Sequence, residues 1–123
     1  MGEINSFKDL IVWQLSHKLA LEIFELSRDC KKTSLNWEIW RQIIRSSFSV
    51  PANIVEGYYS HKGKMYSSHL EISRGSTGET QYWLIVLEAI GDISPEKYHY
   101  LSLKYDEVIK MLSRMINRVN SKY

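Results

Sequence analysis

Apolar residues recur along this chain at alternating spacings of three and four, the signature of amphipathic helices. No stretch alternates apolar and polar residues for long enough to make a strand. The pattern predicts four helices. The first spans about Lys8 to Lys31, with Val12, Leu15, Leu19, Ile23, Leu26 and Cys30 on one stripe that Trp13, Ala20 and Phe24 widen. Ser6 suits its N-cap, and Lys31-Lys32 suits the negative end of the helix dipole. The second starts at Asn36, another N-cap residue, and places Trp37, Trp40, Ile44, Phe48 and Val55 on one face. Pro51 falls inside it, removing a backbone hydrogen bond and crowding the preceding turn. Because Ile54 and Val55 resume the apolar period and Gly57 is a natural stop, a helix kinked at Pro51 is expected over 36–57.

The third helix is expected over Lys62 to Gly91, in two unlike halves. Its first half sets Leu70 and Ile72 among Ser67, Ser68, Ser73, Gly75, Ser76, Thr77 and Gly78, whereas Tyr82 to Leu87 is apolar on every side. Six apolar residues in a row also fit a buried strand, but no turn signal separates them from the helical pattern around them. A helix that is apolar all round must be covered all round, and in so small a domain that calls for a second subunit. Tyr82, Trp83, Ile85 and Val86 are therefore the candidate oligomer interface. Ser94 followed by Pro95 is a strong start for the fourth helix, and Leu101, Tyr105, Val108, Leu112, Met115 and Val119 form a heptad-like seam. The short connection near Asp92 makes the last two helices antiparallel. The expected fold is all-α, an antiparallel up-down four-helix bundle filling residues 1–123 as one domain.

Composition narrows the function more than it defines it. At 123 residues, 44% hydrophobic and 24% charged, the chain has the make-up of a globular domain. The longest unbroken apolar run, Tyr82 to Leu87, falls far short of a membrane span, and a cytoplasmic protein is expected. Cys30 is the only cysteine, so neither an internal disulfide nor a cysteine metal cluster can form. His17, His61 and His99 lack partners at metal-ligand spacing, and no cofactor loop is legible. The net charge is only +2, but it is sorted: residues 65–92 carry one Arg and four acids, whereas 93–123 carry six basic and three acidic groups.

Several motifs have both a structural and a functional reading. Arg41 and Arg45 lie one turn apart, with Glu56, Glu71 and Glu79 as candidate partners; interhelical ion pairs that fix register are expected rather than catalysis. Gly75-Ser76-Thr77-Gly78 has the spacing of a KH-domain loop, but that loop sits among strands, so close helix or subunit approach explains it better. His69-Leu70-Glu71 begins like a zinc-deaminase signature whose cysteine half is missing. The four tryptophans read as core anchors. Lys110, Arg114, Arg118 and Lys122 recur every four residues away from the seam of the fourth helix. This stripe is either a solvated face, partly neutralised by Asp106 and Glu107, or a phosphate-binding surface multiplied by oligomerisation.

Three blocks carry a family resemblance: Phe7-Lys8-Asp9-Leu10-Ile11-Val12-Trp13-Gln14, then Gln42 to Gly57 with its Ser49-Val50-Pro51-Ala52-Asn53-Ile54-Val55-Glu56-Gly57 core, then His69 to Ser76 with Glu79. Across nearly its whole length the chain resembles the bacterial 23S rRNA intervening-sequence proteins, sometimes mislabelled ribosomal protein S23. The resemblance implies a bundle assembled as a ring-like homopentamer, from a family whose genes often lie inside insertions in 23S rRNA genes and whose biochemical activity is not established. The accessory protein of diversity-generating retroelements is similar in fold; it binds nucleic acid and is strongly basic. The leading expectation is thus a non-enzymatic homo-oligomeric module that binds RNA or DNA weakly and with little sequence preference. The alternative is an adaptor for protein partners that touches no nucleic acid. Neither reading involves a cofactor, a metal, a membrane or a small-molecule substrate.

Overall fold

The computed structural model describes residues 3–60 and 63–122. It contains a 3-10 turn, Phe7–Asp9, and four helices: α1 Ile11–Asp29, α2 Trp37–Ser60, α3 Gly63–Ala89 and α4 Pro95–Lys122. No strand occurs among the described residues, and Tyr82 to Leu87 lies wholly within α3. His61, and Lys62 as the expected start of the third helix, lie outside the described residues.

Local chemistry accounts for the helix boundaries. Ser6 caps the 3-10 turn instead of α1, because its hydroxyl accepts from the Lys8 N–H while Asp9 accepts from the Ser6 N–H in a capping box. Leu10 is extended and lets the chain re-enter as α1 at Ile11. At the other end Cys30 leaves the helix in extended backbone, just beyond the stripe it was expected to join. α3 ends at Ala89 and the chain turns through Gly91, whose φ of +82° suits glycine; the Asp92 and Ile93 N–H groups then turn back to the Leu87 carbonyl. The Ser94 hydroxyl accepts from the Lys97 N–H and starts α4 with Pro95 in its first position. α2 runs without interruption through Pro51, which is buried, and does not stop at Gly57.

Partners on neighbouring helices rise in number on one as they fall on the other. Ser46, Ser49 and Asn53 of α2 bond Thr80, Ser76 and His69 of α3. Ser67, Arg74 and Gln81 of α3 bond Asn120, Ser113 and Asp106 of α4. Both pairs therefore run antiparallel. The core is aliphatic around Trp40 and Tyr105, with Leu19, Ile23, Ile43, Val50, Ile54, Leu70, Leu84, Leu87, Leu101 and Leu112 fully enclosed. The first helix follows its expected stripe, although Phe24 stays 41% exposed, edge-on to Phe48.

The second helix is rotated from the expected face. Ile43, Val50 and Ile54 are buried where Ile44, Phe48 and Val55 were expected, because Ser46 and Ser47 also turn inward. They meet an α3 whose buried positions are themselves largely hydroxyl-bearing: Ser67, Ser73, Thr77 and Thr80 beside Leu70, Leu84 and Leu87. Small hydroxyl residues let two helices approach closely, and each hydroxyl has a partner. Ser46 Oγ lies 2.8 Å from Thr80 Oγ1, Ser49 Oγ lies 2.8 Å from Ser76 Oγ, and Ser73 Oγ donates to the Val50 carbonyl at 2.8 Å. Gly57 belongs to the same seam, since a Cβ there would stand 3.1 Å from His69 Cβ. On α4 the seam closes with Ile116, buried, while Met115 turns to the side. The Tyr105 hydroxyl is buried with no hydrogen-bond partner, and burial drives its pKa far upward.

Candidate assembly face and basic cleft

Outward from the core, α3 presents a face on which several apolar side chains stand exposed. Ile72 is 51% exposed, Tyr82 55% and Ile85 51%, while Trp83 and Val86 are half-buried. Trp83 leans across the helix, donating its Nε1–H to Glu79 at 3.1 Å and packing edge-on to Tyr82 at 5.0 Å. Gly78 sits on this face one turn before Tyr82 and Gly75 two turns before it, and a Cβ added at either would meet nothing within 4 Å. Close approach inside the protomer therefore does not account for them. Each glycine costs α3 about 1 kcal/mol relative to alanine, with no return from packing within one chain.

The basic stripe of α4 lies beside a cleft. Lys110, Arg114, Arg118 and Lys122 are all exposed, and among the described residues none pairs with a carboxylate. The acids expected to neutralise them are engaged elsewhere: Asp106 accepts from Gln81 at 2.8 Å, and Glu107 pairs with Lys104 at 3.4 Å. Arg114 and Arg118 line a cleft of about 690 Å³ between α4 and the N-terminal segment. Its apolar surface comes from Leu10, Ile11 and Val12 on one side and Met111 and Met115 on the other. Glu3 and Asp9 complete the opposite rim, where Asp9 Oδ2 is taken up by the Asn5 and Ser6 N–H groups. The 3-10 turn creates this cleft by bringing residues 3–9 across the end of the bundle, an effect that helical periodicity does not carry.

The expected ion-pair residues are only partly brought together. Arg45 and Glu79 pair across α2 and α3, both well exposed, so the pair contributes at most about 1 kcal/mol. Arg41 pairs instead with Glu38 on its own helix at 3.0 Å, which holds the Glu38 carboxyl below its usual range. Glu56 lies 3.3 Å from His69 Nδ1, and Glu71 accepts from Ser67 on its own helix at 3.4 Å. Trp37, expected in the core, is 50% exposed under the Arg41 guanidinium.

A polar clasp at the other end was not foreseen. Asp92 Oδ2 accepts from Asn36 Nδ2 at 2.9 Å and Trp40 Nε1 at 3.0 Å, tying the α1–α2 connection to the α3–α4 connection. Asn36 also donates to the Lys31 carbonyl and accepts from the Thr33 N–H, so its side chain closes the loop instead of capping α2. Lys32 covers the Trp40 ring at 5.3 Å. Burial and the Asp92 carboxylate push the neighbouring Cys30 thiol up, which makes it a poor nucleophile. No group of three metal-ligating side chains occurs among the described residues, and none of their helices is long and apolar enough to cross a membrane.

Residues 8–114 match a protein family described as 23S rRNA-intervening sequence protein. A crystal structure of a protein with unknown function from the S23 ribosomal protein family of Bacteroides thetaiotaomicron superposes with a TM-score of 0.77 at 27% identity, covering 86% of this chain and 98% of that one. No curated protein matches the chain.

Proposed function

The chain belongs to the 23S rRNA-intervening sequence protein family, and on that premise we propose that it is a non-enzymatic module that self-assembles through the outer face of α3. The assembly, a ring of five by family resemblance, presents the α4 stripe to nucleic acid. The observation that carries the reading is the pairing of half-exposed Tyr82 and Ile85 with Gly75 and Gly78, whose Cβ positions are empty in the protomer. An apolar helix face interrupted by glycines suits a second helix laid close against it, and a helix of another copy supplies one.

The stripe supports the nucleic-acid half. Four cations that pair with no carboxylate among the described residues are weak alone, but copies in a ring add their phosphate contacts within one complex. Light scattering coupled to size exclusion tests the assembly: five times the 14.5 kDa protomer is expected, and a monomer overturns it. Filter binding of rRNA fragments at two salt concentrations tests the stripe. Affinity that falls with salt and is lost in Lys110→Glu with Lys122→Glu is expected; affinity indifferent to both refutes it.

A further inference from the structure

We propose that the cleft between α4 and the N-terminal segment is a docking site for an acidic amphipathic helix of a protein partner. A solvated cationic face needs no apolar floor, yet Arg114 and Arg118 rise one turn apart, ~6 Å along the axis, directly beside Met111 and Met115. Across from them Ile11 is 62% exposed and Ile4 50% exposed, so the apolar lining is open to solvent and within reach of an occupant. Methionine surfaces adapt to varied apolar side chains, which suits recognition of a helix face.

Charge selects the occupant. The arginines have no carboxylate partner among the described residues; of the two acids on the opposite rim, Asp9 accepts from the Asn5 and Ser6 N–H groups and Glu3 is exposed, so the positive charge is confined to the α4 edge. The stripe continues this cationic edge from Lys110 to Lys122, ~18 Å of helix, along which carboxylates four residues apart on a parallel helix fall into step. The occupant therefore carries leucine-like residues at three-and-four spacing, flanked by Glu or Asp at every fourth position. Nucleic acid uses the same cations but has no need of the apolar floor, and the two ligands can be separated on that basis.

The test is fluorescence anisotropy with a labelled helical peptide of about fourteen residues, Leu on one face and Glu at every fourth position, against a matched peptide with Lys for Glu. Binding of the Glu peptide only is expected, weakened about tenfold or more by Ile11→Ser and by Arg114→Glu with Arg118→Glu. Circular dichroism confirms that these variants, all at exposed positions, remain folded. A single-stranded oligonucleotide is titrated in parallel, and the uncharged Ile11→Ser is expected to leave its binding unchanged. No saturation by the Glu peptide up to about 1 mM, or binding that both variants leave intact, overturns the proposal. Oligonucleotide binding without peptide binding assigns the stripe to nucleic acid alone and overturns it too. Peptide binding without oligonucleotide binding upholds the cleft and removes the nucleic-acid half of the proposed function.

Discussion

Replacing Gly75 and Gly78 with alanine separates a lone protomer from an assembled one, because the sign of the effect differs. In the protomer both residues lie within α3, neither has positive φ, and an added Cβ meets nothing within 4 Å. Alanine then gains only helix propensity, about 1 kcal/mol per site and about 2 kcal/mol together. For a domain of this size that raises Tm by roughly 6–10 °C. If another subunit's helix lies against the glycines, each methyl instead meets packed atoms, and overpacking costs about 1–3 kcal/mol per contact. In a ring the loss recurs at every interface. The assay is thermal unfolding by circular dichroism at two protein concentrations about a hundredfold apart, with mass by light scattering. Wild-type Tm is expected to rise with concentration, as it does when folding and association are linked. The double alanine variant is expected to shed mass and to lose that concentration dependence while its protomer gains stability. A variant that is more stable and keeps the wild-type mass refutes the idea that these glycines exist to admit a second helix.

Substitutions at four further positions test the architecture. Ile85→Asp, at a half-exposed position, is expected to dissociate the assembly while leaving the helical circular dichroism signal of the protomer intact; an unchanged mass would count against the α3 face. Asp92→Ala removes the acceptor shared by Asn36 and Trp40 and should cost about 2–3 kcal/mol in urea unfolding, with Asp92→Asn milder because one acceptor oxygen remains. Tyr105→Phe deletes a buried hydroxyl without a partner and should be neutral or stabilising by about 1 kcal/mol, read as an equal or higher urea midpoint. Gly57→Ala is the counterpart of the α3 glycines: its Cβ would stand 3.1 Å from His69 Cβ, which is fixed to backbone, so a net loss of about 1 kcal/mol is expected despite the propensity gain.

Much of the fold is written in the chain's local patterns. Ser94-Pro95 marks the start of α4 to the residue, and the spacing of Leu101, Tyr105, Val108 and Leu112 marks its buried face. Rules that count apolar residues went astray where the core uses hydroxyls. Because Ser46, Ser47, Ser73, Thr77 and Thr80 satisfy one another or nearby carbonyls, they bury at little cost, and the core face of α2 turns toward them. Gly57 looked like a stop because glycine often ends helices; its reason is tertiary, a contact with α3. Asn36 was legible as a helix start, but no local pattern announces that its amide reaches Asp92, 56 residues away. The stripe was visible as a period of four, whereas the cleft beneath Arg114 and Arg118 depends on where the 3-10 turn lays the N-terminal segment.

The hydroxyl seam between α2 and α3 works as a keyed spline. Leucines in contact can slide past one another with modest loss, but moving α3 by one turn would set Ser46 against Leu84 or Ser76 in place of Thr80, strand the Ser73 hydroxyl and part Asn53 Oδ1 from the His69 ring nitrogen. Translation along the helix axis is thereby blocked more firmly than the small side chains suggest. The height at which Tyr82 and Ile85 stand on the outside of the bundle is set from within, by Ser46, Ser73 and Thr80, which the protomer encloses completely.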